Sequence, residues 1–239
     1  MQSEKPAPGF ALFNLGFRPF FTGAMVYSII VVLLWTELYG FLIALQINAM
    51  TPYQWHDNEM ILCYSFAVIA GFLLTAVRNW TGIQTINGKA LALVFTAWLM
   101  ARVSFCAGWL LAAGLLDLAF SIMLLFSVAT PVVRSRNWKQ MVIVSKLVLL
   151  ILANLCFYLG FFQVLENGLY WGIYGGLYLV ISLVLTIAAR VVPLFIENGV
   201  EYPVKLKNPR WIMISGLLVF LVFFISEVFL LNTVLTGIT

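Results

Sequence analysis

Charged residues are scarce in this sequence. Asp, Glu, Lys and Arg make up 9% of its 239 residues, whereas 63% of the residues are hydrophobic. Soluble domains carry about 25% charged residues, so this chain has too little polar surface for a water-facing globule and is an integral membrane protein. The 13 basic residues exceed the 9 acidic ones, but they are spread along the chain, which argues against binding to nucleic acid.

Histidine and cysteine are also rare. The one histidine is His56, so any metal or haem site built here must use it or do without imidazole. The cysteines Cys63, Cys106 and Cys156 lie in apolar runs without C-x-x-C spacing, which argues against a disulfide framework and a structural zinc site. No glycine-rich phosphate loop, G-x-S-x-G or H-E-x-x-H motif is present, so hydrolase and nucleotide-binding functions have no support. Whether the chain is an enzyme stays open.

Long apolar runs fill most of the chain. A helix needs about 20 apolar residues to cross a bilayer. Seven runs meet this length, at approximately 20–44, 57–77, 90–113, 116–133, 141–163, 168–190 and 211–236. The sequence therefore predicts an all-α, polytopic membrane helix bundle of about seven transmembrane helices. Residues 1–19 are expected to form a cytoplasmic or interfacial tail, and residues 20–239 a single transmembrane domain.

Two connections between the predicted spans carry their own signals. A tight turn at Gly114 predicts that the third and fourth spans form an antiparallel hairpin. The polar stretch 191–210 between the sixth and seventh spans predicts an ordered loop. Most of the basic residues fall before the first span or in the connections two–three, four–five and six–seven, which lie on one side of the membrane. By the positive-inside rule, the N-terminus is predicted to be cytoplasmic and the C-terminus outside.

The segment WHDNEM opens the second predicted span at the outer face. Asp57 and Asn58 suit the start of a helix, so a structural cap is one interpretation. His56, Met60 and Cys63 also repeat at i, i+4 and i+7, which places an imidazole, a thioether and a thiol along one helix face. Such ligands suit copper or haem iron, although methionine and cysteine are also ordinary packing residues in an apolar helix.

An arginine lies inside the third predicted span. Arg102 is placed near its middle, where an unpaired cation costs at least about 2.5 kcal/mol. One interpretation is a structural ion pair with Glu227 of the seventh span. The other is that Arg102 binds an anionic group such as a haem propionate, or lines a polar cavity beneath Glu59. These intramembrane charges also suggest a small-molecule transporter, but no inverted repeat or broken helix pair supports that hypothesis.

Several segments in a fixed order resemble one known family. They are LGFRPFF at 15–21, WHDNEM at 55–60, AGFLLTAVRNWTG at 70–82, WLMAR at 98–102, RSRN at 134–137, LANLCFYL at 152–159 and ARVVPLFIEN at 189–198. Together they resemble the NnrS family, bacterial inner-membrane proteins described as containing haem and copper and linked to the nitric oxide response of denitrifiers. The resemblance implies the bacterial inner membrane and a function in nitric oxide or denitrification metabolism.

The chain departs from the family pattern at two histidine positions. The second histidine of the family's WHxHE motif is Asn58 here, and the motif of the fifth span ends in Tyr158 where the family has histidine. Family members also carry further spans with a histidine-bearing motif that this sequence lacks. A single imidazole can bind haem on one side, with methionine, tyrosine or nothing opposite, but it cannot build a multi-histidine copper site.

Two functional hypotheses follow from the resemblance. In the first, His56 is the axial ligand and the metal-binding residue of a haem, with Met60 and Tyr158 also at the cofactor. Arg102 then steadies a propionate, and Glu59 holds the His56 ring or passes protons. In the second, the chain is a non-catalytic structural or assembly subunit that packs against other membrane subunits of a larger respiratory or nitric oxide reducing complex and has lost the family's metal sites. Membrane lipids are partners in both.

Overall fold

A computed structural model describes residues 11–40, 50–199 and 210–230 of the chain. These ranges are helical and contain no strand, which confirms the all-α prediction. Short 3₁₀ turns at Ala11–Asn14 and Trp138–Gln140 precede α1 and α5. The helices are α1 (Phe17–Gly40), α2 (Pro52–Thr81), α3 (Gly88–Cys106), α4 (Leu110–Arg134), α5 (Met141–Phe161), α6 (Gly168–Gly199) and α7 (Arg210–Ile225). Two segments are π-helical: Asn58–Tyr64 within α2, and Ser226–Leu230, which follows α7.

Six of these helices, α1 to α6, are long and apolar enough to cross a membrane, so the chain is a multi-pass membrane protein. The seventh predicted span is represented in the described residues by Ser215–Val228, which is apolar but shorter than a span. Helix α7 and the π-helical segment after it cover 211–230 of that span, and residues 231–236 lie outside the described ranges. The orientation of the termini and the single transmembrane domain stay predictions. The chain divides into two compact units, a first unit of residues 1–151 and a second unit of residues 152–239.

Helix α2 begins before the predicted second span. Thr51 caps it, because the Thr51 side chain accepts a hydrogen bond from the Gln54 backbone N–H and the Gln54 side chain accepts one from the Thr51 N–H. Pro52 occupies the first turn, where its missing N–H costs nothing. The interpretation of Asp57 and Asn58 as a helix start is therefore wrong, and the whole WHDNEM segment lies inside the helix.

Helices α3 and α4 form the predicted hairpin, but the turn falls earlier than predicted. The helices end and begin at Cys106 and Leu110, and Gly108 has a φ of 78°. Glycine adopts this left-handed conformation without the steric cost of a side chain. Gly114, the predicted turn, lies inside α4. Arg102 is consequently near the C-terminal end of α3 and not at mid-span.

Helix α6 runs beyond the predicted sixth span. It continues to Gly199 and contains Pro193, so the loop predicted for 191–210 is wrong over 191–199; residues 200–209 lie outside the described ranges. Proline removes one backbone hydrogen bond, and membrane helices tolerate it when the freed groups are satisfied locally.

Close contact between α1 and α2 organises the first unit. A Cβ on Gly16 would stand 2.4 Å from the Leu74 Cβ, so only glycine fits at this position. The helices are antiparallel, since the start of α1 lies against the end of α2 and Trp35, late in α1, stacks on His56 near the start of α2. Aromatic side chains fill the interior, with Phe20 packed against Trp98 and Phe120.

Close backbone approach also organises the second unit. A Cβ on Gly172 of α6 would lie 2.6 Å from both the backbone nitrogen and the Cβ of Phe157 in α5. Gly160 and Gly168 approach each other equally closely, so a Cβ on Gly168 would lie 2.6 Å from the Gly160 Cα. Small residues of this kind let membrane helices pack at short distance.

We expect Gly172→Ala to destabilise the second unit by roughly 1–3 kcal/mol, because the added methyl group would overlap backbone atoms of α5. Gly175→Ala is the matched control, since a Cβ there meets no atom within 4 Å. The measurement is the SDS concentration that unfolds each purified variant in mixed micelles. Equal midpoints for the two variants would contradict the close packing.

Candidate functional site

Buried charged side chains meet near one end of the first unit. Glu59 of α2, Arg102 of α3 and Asp117 of α4 are 0, 2 and 3% exposed. Arg102 Nη1 donates a hydrogen bond to Glu59 Oε2 at 2.9 Å, and Arg102 Nη2 donates to Asp117 Oδ2. The Tyr27 hydroxyl of α1 donates to the same Glu59 Oε2. We call these four side chains the buried cluster.

The buried cluster meets the electrostatic demand of an arginine inside an apolar bundle. A guanidinium without partners is costly there, and the low dielectric constant strengthens its attraction to carboxylates. Two carboxylates face one guanidinium, so the cluster has one excess negative charge when all three groups are ionised. Its members come from α1, α2, α3 and α4, and the cluster therefore ties four helices together.

Glu59 reaches this position from a π-helical part of α2, Asn58–Tyr64. Asn58 and Glu59 are both 0% exposed, although consecutive residues of an α-helix point about 100° apart. The wider turn is accompanied by a hydrogen bond from the Ser65 hydroxyl to the Met60 carbonyl, five residues back. Such π-helical turns are rare and occur frequently at functional sites. The segment Asn58–Tyr64 therefore has a backbone geometry that is common at functional sites.

Polar and aromatic groups surround the buried cluster. The Trp98 indole N–H donates to the Cys63 carbonyl at 3.1 Å, and its ring packs edge-on against Tyr27 with centroids 5.6 Å apart. The Asn58 side-chain amide donates to Cys63 Sγ at 3.5 Å. All of these side chains are buried. They fix the surroundings of Glu59.

Some buried polar atoms in this region have no hydrogen-bond partner among the described residues. They are Trp55 Nε1, His56 Nδ1, Asn58 Oδ1, Glu59 Oε1 and Arg102 Nε. Native proteins leave few such atoms without a partner. Most of these belong to the stretch 55–59, so this stretch is where a ligand or an ordered water molecule would gain hydrogen bonds.

His56 lies one turn before Glu59 and is half-buried. Its ring stacks on Trp35, with centroids 4.2 Å apart and 24° between the planes, and Trp35 packs edge-on against Tyr53. The stack holds the imidazole in place, while its Nδ1 has no partner in the described part of the chain. An imidazole held in this way, with a ring nitrogen not engaged, could serve as a protein ligand to iron if haem were bound.

The other predicted cofactor residues are Met60 and Tyr158. Met60 follows Glu59 on α2 and is half-buried. Tyr158 belongs to the second unit, where it is buried and packs edge-on against Phe157 at 5.5 Å. Their assignment as ligands, like that of His56, stays a prediction.

The partners of Arg102 differ from those the sequence predicted. Arg102 pairs with Glu59 and Asp117 and not with Glu227, whose backbone carbonyl accepts a hydrogen bond from the Tyr170 hydroxyl. Because both Nη atoms of Arg102 already donate to carboxylates, the guanidinium has only Nε without a partner. Glu59 does not hold the His56 ring through Nδ1, which has no hydrogen bond in the described residues.

Sequence reasoning missed two members of the cluster. Asp117 follows Gly114 closely in the sequence, so a turn at Gly114 puts it at the start of the fourth span; with the turn at Gly108, Asp117 lies two turns into α4 and accepts a hydrogen bond from Arg102. Nothing in the sequence distinguishes Tyr27 from the other tyrosines. Within the described ranges, no three or more His, Cys, Asp or Glu side chains are grouped so that they could hold a metal ion.

Comparison with known proteins identifies one family. The family model described as NnrS protein matches residues 11–239, nearly the whole chain. No curated protein and no solved structure matches the chain.

We expect Arg102→Met to lower the free energy of unfolding by about 3–5 kcal/mol, because it leaves two buried carboxylates without their counter-charge. Adding Glu59→Gln and Asp117→Asn to this variant should restore most of the loss, since no uncompensated charge then remains. SDS unfolding of the purified proteins measures both effects.

Lys89→Met is the matched control for this experiment. Lys89 is an exposed cation at the start of the same helix, and its replacement should change the free energy of unfolding by less than about 0.5 kcal/mol. An Arg102→Met variant as stable as the control, or a triple variant no more stable than Arg102→Met, would show that the buried charge pairing does not stabilise the fold.

Proposed function

The chain belongs to the NnrS family, and from this membership we propose that it acts in the nitric oxide response of the bacterial inner membrane as a haem-binding protein. His56 is the proposed protein ligand to the iron. The observation that carries the proposal is the His56 side chain, which is stacked on Trp35 and has a buried Nδ1 without a partner among the described residues. Haem iron, when bound, supplies a site that takes nitric oxide.

The chain has one histidine, so it can supply one imidazole ligand to a metal. A neutral imidazole binds iron through one ring nitrogen, and the orientation of the ring is fixed by what holds the rest of it. Here the fixing contact is the stacked Trp35 ring. A copper site with several histidine ligands does not fit a chain that has only His56.

In this proposal, the buried cluster fixes the position of His56. Glu59 lies three residues after His56 on α2, and its carboxylate is bound to α1 and α3 through Tyr27 and Arg102. These bonds fix the part of α2 that carries the imidazole. In this proposal Arg102 is a positioning residue, and its contact with a propionate stays a prediction. Glu59 Oε1, buried and without a described partner, is the atom of the cluster best placed to accept a proton from a bound water molecule.

Two other functions are weaker candidates. Transport was suggested by the intramembrane charges Arg102 and Glu227, but both Nη atoms of Arg102 are bound to carboxylates of the protein. A subunit without cofactor, within a larger respiratory or nitric oxide reducing complex, is favoured by the family histidines replaced at Asn58 and Tyr158. The same purification tests it.

We expect protein purified gently from its own membranes to contain haem, with an absorption spectrum that changes when nitric oxide is added. His56→Ala should lower the haem content per chain to near zero. Asp57→Asn, which changes the neighbouring residue of the same helix, is the matched control and should retain haem. Metal analysis and identification of every copurifying chain complete the measurement.

The outcomes separate the hypotheses. An unchanged haem spectrum in folded His56→Ala protein would overturn the ligand assignment. Wild-type chain without haem or copper, recovered with a haem-containing partner, would overturn haem binding by this chain and support the subunit function. Size-exclusion elution at the wild-type position shows whether each variant is folded.

A further inference from the structure

A groove lies at the end of the first unit opposite to the buried cluster. The connection between α2 and α3 and the last turns of α4 enclose about 300 Å³. The connection is tied to α2, because the Thr85 hydroxyl donates to the Leu74 carbonyl at 2.5 Å. The segment after α4 is tied to the end of α2, because the Asn137 side-chain amide donates to the Trp80 carbonyl at 3.0 Å. The groove walls are therefore held by hydrogen bonds within the fold.

The lining of the groove changes from apolar to cationic along α4. Phe126 lies at the membrane side and Arg134 ends the helix, with Thr130 between them. From Phe126 to Arg134 the wall is about 12 Å long at the rise of an α-helix. Ile86 and Gln84 of the connection face this wall. The apolar part of the groove matches the acyl chains of a phospholipid near its headgroup. The Thr130 hydroxyl, the Gln84 amide and the Arg134 guanidinium match its phosphate.

Basic residues lie at the same end of the first unit as the groove. Arg18 starts α1, Arg78 ends α2, Lys89 starts α3, and Arg136 and Lys139 follow Arg134 after α4. The acidic residues described in the first unit all belong to the opposite ends of their helices; they are Glu37, Asp57, Glu59 and Asp117. This end is also the predicted cytoplasmic side, where anionic lipids attract basic segments. The charge favours an anionic occupant over a zwitterionic one.

We infer that the groove binds one anionic phospholipid, with Arg134 on its phosphate and Phe126 against its acyl chain. A free phosphate ion would use the cationic part alone and leave the apolar wall uncovered. The site is independent of the haem proposal, because it shares no residue with His56 or the buried cluster. It would stabilise the connection between α2 and α3 against the end of α4.

Native mass spectrometry of the full chain in detergent tests this inference, with dioleoylphosphatidylglycerol as the probe and dioleoylphosphatidylcholine as the neutral lipid. We expect one phosphatidylglycerol to be retained in preference to phosphatidylcholine. Arg134→Gln should weaken phosphatidylglycerol binding by about tenfold, which corresponds to one charge-assisted hydrogen bond. Arg136→Gln, an exposed cation two residues further on, is the control and should change it by less than about twofold.

A second pair of variants distinguishes a lipid from a free anion. Phe126→Ala should weaken lipid binding, whereas Leu111→Ala, equally exposed at the other end of α4, should not. Excess inorganic phosphate should fail to displace the lipid. Displacement by phosphate with no effect of Phe126→Ala would show an anion site. Equal weakening by Arg134→Gln and Arg136→Gln, or no preference between the two lipids, would show diffuse surface attraction and overturn the inference.

Discussion

The burial of one positive charge governs the first unit of this protein. Arg102 is 2% exposed inside a bundle of apolar helices. Its guanidinium is bound by Glu59 and Asp117. Each partner belongs to a different helix, and Tyr27 adds a fourth helix through Glu59. Moving a charge out of water costs free energy, and an ion pair offsets this cost only when its geometry is good. The cluster therefore forms only when α1, α2, α3 and α4 keep fixed positions relative to one another.

This requirement explains several local features together. Arg102 and Asp117 come from the two arms of a hairpin, and they face each other because the turn is confined to three residues around Gly108. Glu59 reaches them from a π-helical turn. His56 lies one turn earlier on α2, and its ring stacks on Trp35 of α1. The charged cluster and the imidazole are thus supported by the same pair of helices, which is what a rigid ligand position needs.

The sequence predicted the class of fold because hydropathy alone identifies membrane helices. It also identified His56, Glu59 and Arg102 as the chemically unusual residues. It did not predict how they meet. Gly108 and Gly114 are equal turn candidates in the sequence, and only packing decides that Gly108 takes the left-handed conformation. That choice moves Arg102 to a helix end and Asp117 into the core. Asn58 and Asp57 resemble a helix start, but the capping box at Thr51 begins the helix earlier. The contact of Tyr27 with Glu59 depends on helix rotation, for which hydropathy gives no signal.

The two ends of the first unit carry charges of different sign, and each end therefore suits a different kind of ligand. At one end, two carboxylates bind a single guanidinium, and the nearby imidazole is stacked and half-buried. At the other end, the described charges are all positive and most are exposed, which suits contact with phosphate groups at a membrane surface. Helix α4 contributes Asp117 to the first and Arg134 to the second, roughly 25 Å apart along the helix. Because one continuous helix joins the two, a lipid bound at Arg134 would hold in place the element that also supplies a partner to Arg102.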